Sequence, residues 1–288
     1  MKALILGGAG QVGRALADSA PAGVDVVSYG SDTLDITDRD ALNRTVAALA
    51  PDLVLNAAAY TAVDRAEEDE AAAYAVNATA VGLIADAARA RGARFVHIST
   101  DFVFDGTAST PYSTDAPVNP LSAYGRTKLA GERLAGPEAL IIRTAWVYAP
   151  CGSNFVHTML RLMRERPELR VVADQIGTPT YAPVLAGALW RMAALDLRGT
   201  YHFTNAGVAS WYDFAVAIQE EALAAGLLDR AASVIPIATA EFPTPARRPA
   251  YGVLDKATAY AALGGPAPHW RTSLRDMITV VATGKDKS

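Results

Sequence analysis

The stretch that most constrains this chain is its beginning, "KALILGGAGQVG" from Lys2 to Gly13. An apolar run without alternation reads as a strand buried on both faces. It enters glycines at a three-residue period, Gly7, Gly10 and Gly13, and helical spacing follows from about Gln11 to Ala17. Glycines between a strand and a helix permit a tight turn, close backbone approach to a pyrophosphate and close helix–sheet packing, with the helix N-terminus facing the anion. Glycines also mark plain turns; the position after a strand and before a helix is what points to a dinucleotide.

The same rhythm continues. "VDVVSYG", "DLVLNAAA", "RFVHIST" and "ALIIRTAWVY" read as further buried strands. Between them lie helical segments: "DALNRTVAAL", with Thr37 and Asp40 as its capping signal, an alanine-rich helix from about Glu70 to Arg91, and "SAYGRTKLAGERLA". Apolar strands each followed by a helix predict an α/β chain with a parallel sheet covered on both faces, wound right-handed into a doubly wound fold. After Ala149 come a loop, a basic helix over about Phe155 to Glu165, the strand-and-loop stretch "LRVVADQIGTPTYAP", and a more irregular remainder with the Pro-rich "PTPARRPAYG". We therefore expect a dinucleotide-binding domain over 1–145 with a returning segment at about 182–206, and a smaller mixed α/β substrate lobe from 146–181 and 207–288. The charged tail "GKDKS" is expected to fray.

With 51% hydrophobic and 19% charged residues, the 288-residue chain can bury a sizeable core. Its net charge of −4 and scattered arginines argue against nucleic acid as a partner. A lone cysteine, Cys151, excludes an intrachain disulfide and reads as a small hydrophobe beside a loop. The apolar N-terminal run is too short for a signal peptide or membrane span, so a soluble cytoplasmic protein without membrane partners is the expectation. No helix is visibly dedicated to a dimer; a monomer or weak homodimer is expected.

One pair of residues suggests chemistry. Eleven tyrosines and five lysines in this chain would give a Tyr-x-x-x-Lys spacing about 0.2 times by chance, and Tyr124–Lys128 has it. An i, i+4 pair shares one helix face, so both side chains can enter one cleft; alone, the pair could equally decorate a surface. Upstream, "HISTD" puts Ser99, Thr100 and Asp101 at the carboxyl end of a strand, where open α/β sheets bind ligands. A phenol is a poor acid–base group near neutral pH, and a neighbouring ammonium, together with a positively charged oxidised nicotinamide, is expected to favour phenolate and lower its pKa. Thr100 could donate a hydrogen bond to a reacting oxygen.

With these residues the sequence resembles an extended short-chain dehydrogenase/reductase, specifically the dTDP-4-dehydrorhamnose reductase family, over nearly its whole length. The motifs that carry the resemblance are "GGAGQVG", "LDITD", "NAAAYTAVDRAE", "HISTDFVFDG", "NPLSAYGRTKLAGE", "IIRTAWVYAPCGSNFVHTML", "VVADQIGTPTYA" and "GTYHFTNAG". It implies a Rossmann domain and NAD(P)H-dependent reduction of dTDP-4-dehydro-L-rhamnose to dTDP-L-rhamnose, with NADPH or NADH as reductant. It also implies roles. Gly7, Gly10, Gln11, Val12 and Gly13 would line the pyrophosphate, Asp35 and Ile36 the adenine side, and Ala57, Ala58, Ala59 and Tyr60 the ribose, with Ser99 also on the cofactor. Tyr124 would protonate the 4-keto oxygen, Lys128 would assist it and hold the nicotinamide ribose, and Thr100 would stand where serine is common. Thr61, Val63, Thr100, Asp101 and Trp146 would meet the sugar, with Asn154, Gln175 and Arg248 towards the nucleotide; Trp146 could equally be plain core. Arg14-Ala15 replaces an acid linked in some relatives to a metal-bound dimer, so no metal is expected, and Phe102 replaces a common tyrosine. Two other readings stay open: a reductase of a different dTDP-4-keto-6-deoxyhexose, and a non-catalytic regulatory subunit of the same fold.

Overall fold

The computed structural model describes residues 1–284; of the tail expected to fray, all but Gly284 lies outside the described residues. Strand β1 (Lys2–Leu6) and helix α1 (Gln11–Asp18) open the chain, followed by β2 (Asp25–Tyr29), α2 (Arg39–Leu49) and β3 (Leu53–Asn56). The cap of α2 is Asp38 and not Thr37: its carboxylate accepts from the amides of Asp40 and Ala41, while the Thr37 hydroxyl donates to Asp35. A carboxylate one residue nearer the free amides reaches two of them, which the hydroxyl cannot.

The alanine-rich helix forms in pieces: α3 (Arg65–Glu68), α4 (Glu70–Tyr74), a π-helical turn (Ala75–Thr79) and α5 (Ala80–Ala90). The span Glu70–Ala90 is long and apolar enough to cross a membrane, but more than half of its most apolar window is buried in the protein. Its apolarity is accounted for by packing under the sheet, where Val81, Ile84 and Ala88 are buried with Val54 and Phe95. Then follow β4 (Arg94–Thr100), α6 (Ala123–Ala135) and β5 (Leu140–Thr144). Ser122 caps α6 by accepting from the Gly125 amide, and Gly136 with φ 81° ends it.

Beyond β5 come β6 (Val147–Tyr148), α7 (Phe155–Glu165), β7 (Glu168–Val172), β8 (Ile176–Gly177), β9 (Thr180–Tyr181), α8 (Ala182–Ala194) and β10 (Gly199–His202). The chain closes with β11 (Ala209–Ser210), α9 (Trp211–Ala224), β12 (Ser233–Ile237), α10 (Ala257–Ala262) and α11 (Trp270–Thr283). Six strands form one sheet in the order β10-β5-β4-β3-β1-β2, every pair parallel. Because α1 and α8 cover one face and α2 and α5 the other, the sheet strands are apolar on both sides. The remaining strands form two-stranded pairs, of which β7–β12 packs with α7, α9 and α11 around Phe214, Met159 and Leu274.

Chain connections reverse between β1 and β3, and the loops that leave their carboxyl ends diverge. That topological switch point is where a doubly wound sheet leaves a crevice for a ligand.

Candidate active site

The crevice is built by backbone. Gly7 has φ 80°, and a β-carbon there would meet the Ala57–Ala58 backbone at 2.5–2.7 Å. A β-carbon on Gly13 would lie 2.2 Å from the Gly7 carbonyl oxygen. The loop after β1 thus lies directly on the loop after β3, and α1 follows Gly10 as its N-cap, with no side chain capping its first amides. Together they border a cavity of about 470 Å³ lined by Gly7, Gly10, Asp35, Ile36, Ala57, Ala58, Ala59 and Tyr60. Uncapped amides at a helix N-terminus and a cradle that a β-carbon would fill suit the pyrophosphate of a dinucleotide. Within it, the Asp35 carboxylate is tied to the Thr37 amide and hydroxyl, which holds its pKa below the usual range. Val12 packs, half-buried, against the core on the α1–α8 face of the sheet.

Replacing Gly13 by alanine tests this cradle. The clash is with backbone, so relief requires the two loops to separate; overpacking of this kind costs about 1–3 kcal/mol. The expected result is a lower urea midpoint and at least about tenfold weaker binding of a nicotinamide dinucleotide, roughly 1.4 kcal/mol, read by fluorescence titration.

Asn77, in the π-helical turn, joins the crevice to α6. It accepts from the Tyr60 amide at 2.8 Å and donates to the Tyr60 carbonyl and to the Thr127 hydroxyl of α6 at 3.1 Å each. On α6, Lys128 is buried and Tyr124 half-buried, the phenol lying by the strand end at Thr100. Burial pushes the phenol up to about 12; a hydrogen bond with Thr100 acts the other way, and the Asp101 charge adds to the rise. Asp101 is itself raised to about 7, by burial first, against hydrogen bonds that include one from Thr100 at 3.0 Å.

The expected effect of Lys128 on Tyr124 is not what these residues produce. The amine turns inward, donating to the Ile98 carbonyl at 2.6 Å and lying 3.4 Å from His97 Nε2. Burial lowers it to about 8, partly offset by Glu132. Facing β4 instead of the phenol, it does not figure among the groups that shift Tyr124, whose pKa rises. Ser99 also departs from its expected place. Alternation along β4 sends its hydroxyl beneath the sheet to Glu132, 2.5 Å away.

Across the crevice the second group of expected residues is only partly assembled. Asp101, Trp146, Gln175 and Arg248 border one small cavity with Phe102 and Trp211. Trp146 has φ 48°, a conformation few bulky residues adopt. Its indole stacks on Trp211 at 3.5 Å and closes against Gly177. A larger cavity of about 800 Å³ adjoins, bordered by Arg166, Arg170, Gln175, Trp211, Phe242 and Arg248 among others. Arg248 is fixed by both Asp64 oxygens at 3.0 and 2.7 Å, and Asp64 is held below its usual pKa by that bond. Asn154 lies elsewhere: it caps α7 through the His157 amide and donates to Gln11 at 3.0 Å, because an N-cap side chain must fold back on its own helix. Thr61 and Val63 lie on the loop that leads to Asp64, exposed and half-buried respectively.

Trp211, Asp64 and His97 carry no local sequence signal of their place at the site. Trp211 opens a helix far downstream of Trp146, and no local pattern relates the two.

Residues 1–283 match the family model of the RmlD substrate binding domain. A dTDP-4-dehydrorhamnose reductase of Burkholderia thailandensis is 44% identical, with 97% of this chain and 100% of the relative covered. A Streptomyces antibioticus protein named "Probable dTDP-4,6-dihydroxy-2-methyloxan-3-one 4-ketoreductase" is 43% identical over 96% of this chain and 94% of its own length. Among solved structures, the dTDP-4-dehydrorhamnose reductase of Bacillus anthracis in complex with NADP superposes with a TM-score of 0.90 at 35% identity, over 96% of this chain and 98% of that one.

Proposed function

We propose that this chain, which belongs to the dTDP-4-dehydrorhamnose reductase family, is an oxidoreductase that reduces the 4-keto group of dTDP-4-dehydro-L-rhamnose to give dTDP-L-rhamnose. NADPH, held along the crevice between the β1 and β3 loops, supplies the hydride. The Bacillus anthracis relative bound to NADP supports that choice of reductant.

The observation that carries the reading is a half-buried phenol, raised to about 12 by desolvation, beside Thr100 at the carboxyl end of β4. Such a phenol keeps its proton at neutral pH and is therefore an acid and not a base in the resting chain. As a carbonyl gains hydride its oxygen becomes a strong base, and Tyr124 delivers the proton to it. Thr100 orients the phenol and the carbonyl oxygen by hydrogen bonding; general acid catalysis of this type contributes about 10²–10⁴-fold. Trp146, stacked on Trp211, gives the hexose an apolar wall next to the Asp101 carboxyl. Arg248, Gln175 and the larger cavity beside them would receive the thymidine diphosphate, whose charge a guanidinium suits. Asp64 keeps that guanidinium oriented.

The kinship with the Streptomyces antibioticus protein favours a second reading, reduction of another dTDP-4-keto sugar by the same residues. One assay separates the two. Purified protein is mixed with NADPH and enzymatically prepared dTDP-4-dehydrorhamnose, cofactor absorbance is followed, and the sugar product is identified by NMR. Formation of dTDP-L-rhamnose is the expected result. A different configuration at C4, or faster turnover of another 4-keto sugar, favours the second reading; no cofactor oxidation with any of them overturns both.

A further inference from the structure

The adenosine end of the crevice lies between the glycine loop and the tip of β2, and backbone joins the two there. The Gly8 amide donates to the Tyr29 carbonyl at 2.8 Å. A β-carbon on Gly30 would stand 3.1 Å from the β-carbon of Ala9. Ala9, Gly30 and Ser31 border the same cavity as Asp35 and Ile36. At the tip of this strand an acid holds the 2′-hydroxyl of an unphosphorylated dinucleotide, whereas a nearby arginine accommodates a 2′-phosphate. Here β2 ends on Tyr29 and runs into Gly30 and Ser31, so no acid occupies the tip itself. The Thr33 hydroxyl is taken up by the turn: it donates to the Gly30 carbonyl at 3.0 Å and accepts from the Gly30 amide at 3.1 Å.

Two charged side chains flank Ala9 and Gly30. Arg14, exposed on α1, turns back along the helix, and its Nε donates to the Ala9 carbonyl at 3.1 Å. That bond fixes the guanidinium beside the loop. Its two terminal nitrogens have no protein partner among the described residues, so that edge stays free for a bidentate contact. On the other side the exposed Asp32 folds its carboxylate over the strand tip, Oδ1 lying 2.5 Å from where a β-carbon on Gly30 would be. Asp35, the acid on the cavity wall, is already tied to Thr37.

We propose that Arg14 is the residue through which this chain selects a 2′-phosphorylated dinucleotide, and that Asp32 opposes the phosphate charge and limits the selection. The inference rests on the reading of the crevice as an NADPH site and not on the identity of the sugar. A guanidinium offers a phosphate two parallel donors, and such charge-assisted bonds are about twice as strong as neutral ones. An arginine that merely decorated the helix surface would affect both dinucleotides equally or neither.

Dissociation constants for NADPH and NADH, measured by fluorescence titration without sugar, test the assignment. Wild type is expected to bind NADPH more tightly. Arg14→Gln should reduce the ratio of the NADH constant to the NADPH constant about tenfold or more, the effect of losing a hydrogen bond to a charged group. Arg14→Lys, which keeps the charge without the fork, should recover part of that ratio. Asp32→Asn should raise it about two- to fivefold, because an exposed like charge is removed. Added salt should shrink the wild-type preference, since both charges are exposed and screened. Adenosine 2′,5′-bisphosphate and AMP, used as competitors, should follow the same pattern, which confines the effect to the adenosine end. A ratio unmoved by Arg14→Gln, equal weakening of both dinucleotides, or a shift by Asp32→Asn in the direction of Arg14→Gln overturns the proposal. A wild-type protein that discriminates in this way but turns over no sugar sinks the reductase reading instead and leaves the role of Arg14 standing.

Discussion

Tyr124→Phe is expected to reduce kcat about 10²–10⁴-fold, corresponding to roughly 3–5 kcal/mol of lost transition-state stabilisation, while leaving the dissociation constant for NADPH within about twofold. The reason is that phenylalanine keeps the ring, its edge-on contact with Phe102 at 5.5 Å, and the packing of α6. Only the hydroxyl beside Thr100 is lost. Burial holds the phenol at about 12, so the proton donor is present at every pH below that value and is lost only as pH rises through it. Wild-type kcat should therefore show no alkaline loss attributable to Tyr124 between pH 6 and about 9 (the ordinary phenol titrates near 10). Steady-state rates across that range, with a titration of NADPH fluorescence on the variant, check both statements. Activity retained by Tyr124→Phe would remove the phenol from its role, and weakened cofactor binding of the same size as the rate loss would make it a binding residue.

Arg143→Met should produce the largest loss of stability among single changes near the site. Arg143 lies on β5 and reaches Glu132 of α6 through two bonds of 2.9 and 2.8 Å, both side chains being 6% exposed. Ser99 of β4 adds its hydroxyl to the same carboxylate, and Phe104 lies under the guanidinium at 5.2 Å. Removing the cation leaves a carboxylate buried with only a serine partner, a situation that costs about 3–5 kcal/mol. The urea midpoint should fall accordingly. The double variant Arg143→Met/Glu132→Leu should recover most of the loss, because an apolar pair of similar volume carries no uncompensated charge. The pair also fixes α6 against β4 and β5 one helical turn below Lys128, so kcat should fall in the single variant even where it remains folded. A single variant as stable as wild type would show that water or another group reaches Glu132.

Helix α6 was legible because its information is local. Tyr124 and Lys128 are four residues apart, a helix places such residues on one face whatever surrounds it, and Ser122 supplies its own start signal. The glycine loop was legible for the same reason, since strand, turn and helix follow one another directly. Where local reading failed, a neighbour distant in sequence had intervened. Lys128 was expected to lower Tyr124, but the carbonyl of Ile98 and the ring of His97, about thirty residues upstream, draw the amine inward. Ser99 belongs to the right strand end, yet alternation turns it to Glu132. Asn154 carried the polar side chain expected of a ligand contact and spends it capping α7.

By itself the sequence determined the doubly wound parallel sheet, the place of the crevice and the spacing of the phenol and the amine, because strand burial, helical period and glycine freedom act within a few residues of chain. Only the tertiary structure decided what those groups do to each other. Trp146 meets Trp211 at 3.5 Å, and Arg248 reaches Asp64 across 184 positions. His97 and Lys128 come from a strand and the helix packed on it. Burial then raises the phenol, lowers the lysine and forces each buried polar atom to a partner. These effects depend on distance and desolvation in space, for which position along the chain carries no measure.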